Sequence, residues 1–396
     1  MALVVGQRDT GKAAITGFDS KARDLEKDIY DVQPNRAPFT SFMMSLKSVA
    51  TKRTEFEHAE YTEIPGTVQV NGTINSSATA LVVDTGHAAR VPLNAVLYSP
   101  DSEEMVYVSA RNTSTDTLTI TRGFSSTTAA ELTDNYVLTI IEGYEEGVEF
   151  SEGATDTPSL KTNYVQELET EISASWIQMA EAEETEADWD FQNERAFIRH
   201  KEKQERVFLF GKKNLGTGTQ GKRIFRTGGI YQTVLANAAA ANRKDLAGAV
   251  LTKDDLDVWA ARLRSYGNPN RKVWFTSPLG WVSLTRLAEG YQTIEPSEKT
   301  LGMTIQKVAI LGNVYTIIEN QAFVNQSFED LILCVDMDHV RKRPFSWRGF
   351  NFTTKWHKDV QTNALKGRRD VVYSIEGMQV RIADAHGYVK NFALPT

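Results

Sequence analysis

The sequence predicts an α+β fold with a β-rich excursion and one long, unpaired helix, and three observations carry that prediction. Between about Thr62 and Glu142 runs a Ser/Thr-rich series of short alternating segments, read as strands. From about Asp188 to Lys213 runs one long, heavily charged helical pattern. The C-terminal half alternates helix and strand signals. Such an excursion followed by a lone helix is awkward for a compact monomer. The helix needs a partner for its apolar stripe, and the excursion needs a surface to lie on. The pattern predicts a protein completed by its neighbours.

Composition narrows the function. The 396 residues, 41% of them hydrophobic, are ample for a core and suggest roughly two or three structural units. A formal net charge of -7 without dense basic tracts excludes a surface built throughout to grip nucleic-acid phosphates. The single cysteine, Cys334, lies in the apolar run Leu331-Ile332-Leu333-Cys334-Val335. It is expected to be a buried core residue of a reducing compartment, and alone it forms no intrachain disulfide. The short apolar run Ala2-Leu3-Val4-Val5 has no basic region before it, so no signal peptide is expected. No window approaches the ~18 consecutive apolar residues of a membrane span.

The elements follow in order. Residues 1–33 are polar, with Gly6, Gly11 and Gly17 spaced through them, and are expected to form an extended arm with a short helix near Lys21–Tyr30. Pro34 and Pro38 bracket a turn that opens onto Phe39, Phe42, Met43, Met44 and Leu46. Thr51 to Tyr61 reads as a strand. In the Ser/Thr-rich region, Leu118 and Ile120 share one face and Thr117, Thr119 and Thr121 the other. Arg122-Gly123 and Glu142-Gly143 supply turn chemistry. A small barrel or sandwich is expected, closed by Leu118, Ile120, Leu138 and Ile140, with a return limb over Gly147 to Pro158.

On the long helix, Trp189, Ala196, Phe197, His200, Val207 and Phe208 share one face, so Trp189, Phe197 and Phe208 are expected to be buried. Gly211 marks its end, and a polar Gly-rich loop, Gly216 to Lys222, leads on to Phe225-Arg-Thr-Gly-Gly229-Ile. Thr252-Lys-Asp-Asp255 is a capping box ahead of Leu256, Trp259, Ala260 and Leu263. Val273–Thr276 is a strand, and Pro278 starts a helix carrying Leu279, Val282 and Leu287 up to Gly290. Val308–Leu311, Tyr315–Ile318 and Leu331–Val335 are strands, and Val371–Ile382 is a strand pair or one long bent strand.

No catalytic, cofactor-binding or metal site is assigned. Gly6-Gln-Arg-Asp-Thr-Gly11-Lys12 and Gly216-Thr-Gly-Thr-Gln-Gly221-Lys222 both imitate a phosphate-binding loop. Each continues with the wrong residue, Ala13 and Arg223, where Mg²⁺ ligation needs Ser or Thr. The histidines, His58, His87, His200, His339, His357 and His386, show no i,i+4 metal spacing. Asp336-Met-Asp338 is read as a solvated strand exit rather than a metal site, and the acidic run Glu181–Asp190 as the negative approach to the long helix. Arg341-Lys-Arg343 and Lys366-Gly-Arg368-Arg369 are small basic clusters that suit DNA, an acidic neighbour or a solvated turn equally. No Gly-x-Ser-x-Gly elbow is present.

Several segments taken in order carry a resemblance. They are Val32-Gln-Pro-Asn-Arg-Ala-Pro-Phe39, Asn163-Tyr-Val-Gln166, Leu209-Phe-Gly211, Arg226-Thr-Gly-Gly229-Ile, Leu251-Thr-Lys-Asp-Asp-Leu256, Leu331-Ile-Leu-Cys-Val-Asp336 and Tyr373-Ser-Ile-Glu-Gly377. Over essentially its whole length the chain resembles the major capsid proteins of tailed bacteriophages (Caudoviricetes) with the HK97-type fold, in a subgroup with a β domain inserted in the extended loop.

The resemblance implies an N-terminal arm at 1–33 and an extended loop at 50–160 with its inserted β domain at about 62–142. It implies a peripheral domain from 160–235 and 340–396 around a spine helix at about 188–213, and an axial domain at 236–340. It implies a structural protein, not an enzyme, that self-assembles into hexamers and pentamers tiling an icosahedral shell around double-stranded DNA. Implied partners are further copies of the chain, a portal, scaffold or decoration proteins, and packaged DNA held by non-specific contact; no membrane and no cofactor is implied. The implied location is the virion, with the host cytoplasm during assembly. The arm and the loop are expected to lie on neighbouring subunits. Some relatives carry a cleaved N-terminal scaffolding region, for which this sequence has no room, so scaffolding is expected from a separate chain or not at all. The alternatives are an encapsulin-like compartment shell and a nucleotide-binding enzyme using Gly6–Lys12.

Overall fold

The computed structural model describes residues 37–61, 65–143, 146, 158–180, 188–288, 294–300, 303–310, 313–324, 328–362 and 365–393. The expected arm, its Gly6–Lys12 loop and Lys21–Tyr30 helix, most of the limb Gly147–Pro158 and Glu181–Ala187 lie outside the described residues. The chain divides into one unit up to His58 and from Lys161 onward, and a second spanning Ala59–Leu160.

The second unit is a six-stranded antiparallel sheet. Its order is Thr67–Gln69, Val137–Ile141, Val96–Tyr98, Met105–Asn112, Thr117–Thr121 and Ala80–Val82. The two end strands meet through Asn71 N–H to Val82 O (2.9 Å) and Asp84 N–H to Gln69 O (3.0 Å). The sheet thus closes into a small barrel, which spares it open edges. Its interior is apolar and follows the period of two: Val68, Leu81, Leu97, Val106, Leu118, Ile120 and Leu138 are buried, with Ile140 packed against them. Thr119 and Thr121 face solvent.

Arg122-Gly123 does more than turn the chain. Glu104 is fully buried and takes Nε and Nη2 of Arg122, both at 2.7 Å, together with the N–H groups of Gly123 (3.1 Å) and Ala130 (3.0 Å). Burial opposes the charged carboxylate, but these donors outweigh it and hold the group below its ordinary value. The fork geometry pins two loops to one strand.

Among the described residues, the first unit holds two large sheets beside short two-stranded ones. The larger is mixed, in the order Arg243–Asp245, Gly387–Lys390, Ile332–Asp336, Lys272–Thr276, Asn313–Glu319, Met303–Ile310 and Ile294–Thr300. Its central strands are buried on both faces, so each is a continuous apolar run. Val273, Phe275, Leu333, Val335 and Ile318 point to one core; Trp274, Ile332, Cys334, Ile317 and Tyr315 point to the other. The second face is covered by the helix Lys253–Arg264, whose capping box from Thr252 and Asp255 is formed. The rings of Trp259, Trp274 and Tyr315 pack there in tilted contact, with centroids 5.2 and 4.9 Å apart. On the helix Pro278–Ala288, Leu287 packs on the core as expected, but Val282 is exposed and the neighbouring Ser283 and Leu284 are buried instead. Gly387–Lys390 lies inside this sheet, so the tail crosses the expected border between residues 340–396 and 236–340.

The smaller sheet is organised by Gly367–Val380, one continuous strand rather than a pair. Gln166–Ser175 runs antiparallel along one edge from Gln166↔Glu376 to Ser175↔Gly367. Val340–Pro344 and Lys355–His357 share the other edge. The long helix, Asp188–Phe210, packs on this sheet.

Candidate assembly site

The buried stripe of the long helix is Ala196, His200, Gln204, Glu205, Phe208 and Leu209. The expected burial of Trp189 and Phe197 is corrected: both are half-buried. Each ring instead carries a cation, Arg368 over Trp189 at 5.2 Å and Lys201 over Phe197 at 4.7 Å. Phe208 is buried as expected. The stripe tolerates polar groups because partners meet them. His200 bonds Thr170 Oγ1 (3.3 Å) and Ser374 Oγ (2.9 Å). Gln204 Nε2 donates to Thr354 Oγ1 (2.9 Å) and to Glu376 Oε2 (3.0 Å). Glu376 also pairs with Lys342 at 2.8 Å. Burial lowers the His200 pKa to about 4, helped by Lys203 and Lys342.

Glu205 works across the fold. The helix Pro38–Ser45 begins at Ala37, whose methyl side chain supplies no cap. Its orphan N–H groups at Phe39 and Thr40 donate instead to Glu205 Oε1 (2.9 Å) and Oε2 (2.6 Å). Thr40 Oγ1 (2.6 Å) and Asn320 Nδ2 (2.6 Å) complete the carboxylate's shell. Phe39 then sets its ring edge-on to Phe275 at 5.3 Å. Burial still raises the Glu205 pKa to about 7 against these bonds.

The glycine motif makes a clasp. Asn163 Nδ2 donates to Gly228 O (3.0 Å) and Met378 O (2.7 Å), and its Oδ1 accepts from Gly228 N (2.7 Å). Gln166 Oε1 accepts from Thr227 N at 3.1 Å. Below them Gly229 N donates to Gly211 O at 2.7 Å. A Cβ on Gly229 would stand 2.7 Å from Phe208 O and 2.8 Å from Gly211 N, so only glycine fits. The end of the long helix, the strand at 163–166 and the long strand at Met378 are thereby fixed to one another.

The remaining sequence candidates fall into place. The Gly216–Lys222 loop is the tip of a hairpin, Asn214–Thr217 with Arg223–Arg226, so Lys222 precedes a strand and not the helix a phosphate loop requires. Asp336 is not solvated. It is buried, accepts N–H groups of Asn268 (2.9 Å) and Asp338 (3.0 Å), and lies 3.9 Å from Lys272 Nζ. The chain folds over it because Gly267, at φ +69°, leaves no room for a side chain. His386, its neighbour, is pushed down to about 3 by burial and by Lys272. Among the described residues, no group of three or more His, Cys, Asp or Glu could hold a metal. In the basic clusters, Lys342 pairs with Glu376, Arg368 with Asp370 (3.1 Å) and Arg369 with Glu171 (2.8 Å). Apolar groups stand out in solvent at Trp176 (61%), Ile177 (74%), Trp347 (58%) and Phe350 (46%).

The family model described as SU10 major capsid protein matches residues 7–393. No curated protein matches the chain. Among solved structures, the Cyanophage A-1(L) capsid asymmetric unit superposes with a TM-score of 0.53 at 8% identity, over 94% of this chain and 97% of that one. A capsid chain of an empty GTA particle gives 0.46 at 11% identity, over 97% and 99%. The holo-SrpI encapsulin complex of Synechococcus elongatus gives 0.42 at 13% identity, over 61% and 78%. The cyanophage likeness is one of fold; the other two are weaker and add nothing to it.

Proposed function

The chain belongs to the SU10 major capsid protein family, and from that premise we propose that its copies tile, as hexamers and pentamers, an icosahedral shell around the double-stranded DNA of a tailed bacteriophage. The observation that carries the reading is the family match across residues 7–393. The fold is of the HK97-like capsid type, and the role is structural.

In this reading residues 1–33 are an arm laid on a neighbour. The barrel between Thr67 and Ile141 is the domain inserted in an extended loop at 50–160. Residues 160–235 and 340–396 form the peripheral part and 236–340 the axial part, with Gly387–Lys390 stitching them together. Further copies are the main partner; a portal, a separate scaffold and the packaged DNA are the others. The protein resides in the virion after assembly in the host cytoplasm. An encapsulin-like shell is the rival reading.

Electron microscopy of purified particles tests the reading. Closed, angular shells of uniform diameter that contain DNA when taken from virions are expected. A stable monomer of 44.2 kDa by analytical ultracentrifugation under all conditions overturns it. Deleting residues 2–30 is expected to leave the subunit's circular dichroism near native while abolishing closed shells.

A further inference from the structure

We propose that the open groove between residues 51–57 and 343–345 seats the acidic segment Glu181–Asp190 of a second copy of the chain. The inference rests on the shell reading, and deepens it by naming one contact. The groove encloses about 700 Å³ and is lined by Lys52, Arg53, Phe56, Glu57, Arg343 and Phe345, among others. Its floor is built, since Thr51 N donates to Pro344 O (2.9 Å) and Ser346 N donates to Thr51 O (2.7 Å).

Among the described residues, the groove offers Arg343 no acceptor for its Nε, which is buried. Its guanidinium lies 5.2 Å from the Phe56 ring centroid. Burial and the nearby Arg341 both weaken its hold on its proton. Its sequence neighbour Lys342 is satisfied by Glu376, so Arg343 stands apart within its own cluster. A desolvated guanidinium is stabilised by a carboxylate, best in fork geometry. Lys52 and Arg53 are exposed on the same wall. Of the two acidic residues there, Glu55 pairs with Lys213 at 3.5 Å, which leaves Glu57 against three cations.

Charge narrows the occupant to an acidic segment, and residues 181–190 are the densest one. Residues 181–190 carry six carboxylates, Glu181, Glu183, Glu184, Glu186, Asp188 and Asp190, and no Lys or Arg. Residues 1–36 carry six basic and six acidic groups, so the arm offers no net complement.

Distance selects the copy. Arg343 sits beside Gly377, whereas Arg368 lies over Trp189 at the start of the long helix. Nine residues of strand separate Gly377 from Arg368, about 30 Å. Residues 181–187, tethered at Ala180 and Asp188, reach at most about 14 Å out and back. The groove is beyond the chain's own segment and open to another's.

Cysteine pairing tests this. Thr54→Cys and Glu184→Cys are placed in separate, co-expressed chains, one carrying a mass tag, and oxidised; the native Cys334 is buried and does not compete. A mixed disulfide dimer is expected on a non-reducing gel. Arg343→Glu is expected to lower shell yield roughly tenfold and to be rescued by Glu183→Arg with Glu184→Arg. Circular dichroism of Arg343→Gln confirms that the subunit folds without the charge. Closed shells with no mixed dimer and no rescue overturn the docking and leave the shell reading standing. A chain that stays monomeric overturns both.

Discussion

The side chain of Asn163 grips the peptide groups of Gly228 from both sides, donating to its carbonyl at 3.0 Å and accepting from its N–H at 2.7 Å. A side-chain amide here stands in for a neighbouring strand, and its second N–H bond, to Met378 O, ties in a third element. Asn163→Ala takes the side-chain partner from four backbone groups, Gly228 N–H and O, Met378 O and Tyr164 N–H, and is expected to cost about 2–4 kcal/mol in urea unfolding. Asn163→Asp is expected to be worse than Ala, because it sets a carboxylate against two carbonyl oxygens.

Gly229 tests the crossing beneath that clasp. Its φ of -88° suits any residue, so the objection to a side chain there is space alone. Gly229→Ala is expected to destabilise by about 3 kcal/mol. Gly72→Ala, where φ is +83° with nothing within 4 Å of a Cβ, serves as a control for backbone strain without crowding and is expected to cost about 1 kcal/mol.

The phase of the long helix predicts unequal aromatic substitutions. Phe208→Ala is expected to cost about 3–5 kcal/mol through the cavity it leaves. Phe197→Ala loses a half-buried ring under Lys201 and is expected to cost about 1 kcal/mol. Equal losses in thermal unfolding would place the stripe wrongly.

Glu205 gives a pH signature. Its pKa rises from 4.5 to about 7 on folding, chiefly through burial. The folded chain therefore keeps a proton that the unfolded chain releases, and this site's contribution falls as pH climbs from about 4.5 to 7. The span of the shift is worth about 3 kcal/mol. Unfolding of Glu205→Gln, measured beside the parent from pH 4.5 to 8, is expected to lack this fall.

The two buried histidines act in the opposite sense. His200, at about 4, and His386, at about 3, are held below 6.5 by burial, so the unfolded chain takes up protons that the folded one refuses. Stability from these sites is complete above pH 6.5 and drains away as pH falls toward 4 and 3. His386→Gln is expected to flatten the acid limb, provided its amide reproduces the bond from Asp336 N, now 3.1 Å to Nδ1.

The sequence announced those parts whose signal is local. The barrel core at Leu118, Ile120 and Leu138 shows in strict alternation, and the Thr252–Asp255 box lies within four residues. His200 falls on the expected apolar face, but Gln204 and Glu205 do not show as buried, because polar residues on a charged helix look solvated. Their partners, Thr40, Asn320, Ser374 and Glu376, lie 115 to 174 positions away or across the sheet. Asp336 was misjudged for the same reason: what buries it is Gly267 and Lys272, neither adjacent in sequence. The glycines at 211 and 229 were visible as punctuation, but not as two backbones in contact.

The capping of the Pro38–Ser45 helix by Glu205 has a consequence for the order of events during synthesis. An eight-residue helix without a local cap is unstable in isolation. Its cap lies 165 residues downstream, and Asn320, which steadies that cap, a further 115. At about 5–20 residues per second, the ribosome delivers Asn320 roughly 14–56 seconds after Thr40. For that interval the Pro38–Ser45 helix lacks its cap. The Pro38–Ser45 helix thus gains its cap only once the middle of the chain has been made, and its seat against Phe275 is a late event in the subunit's own folding.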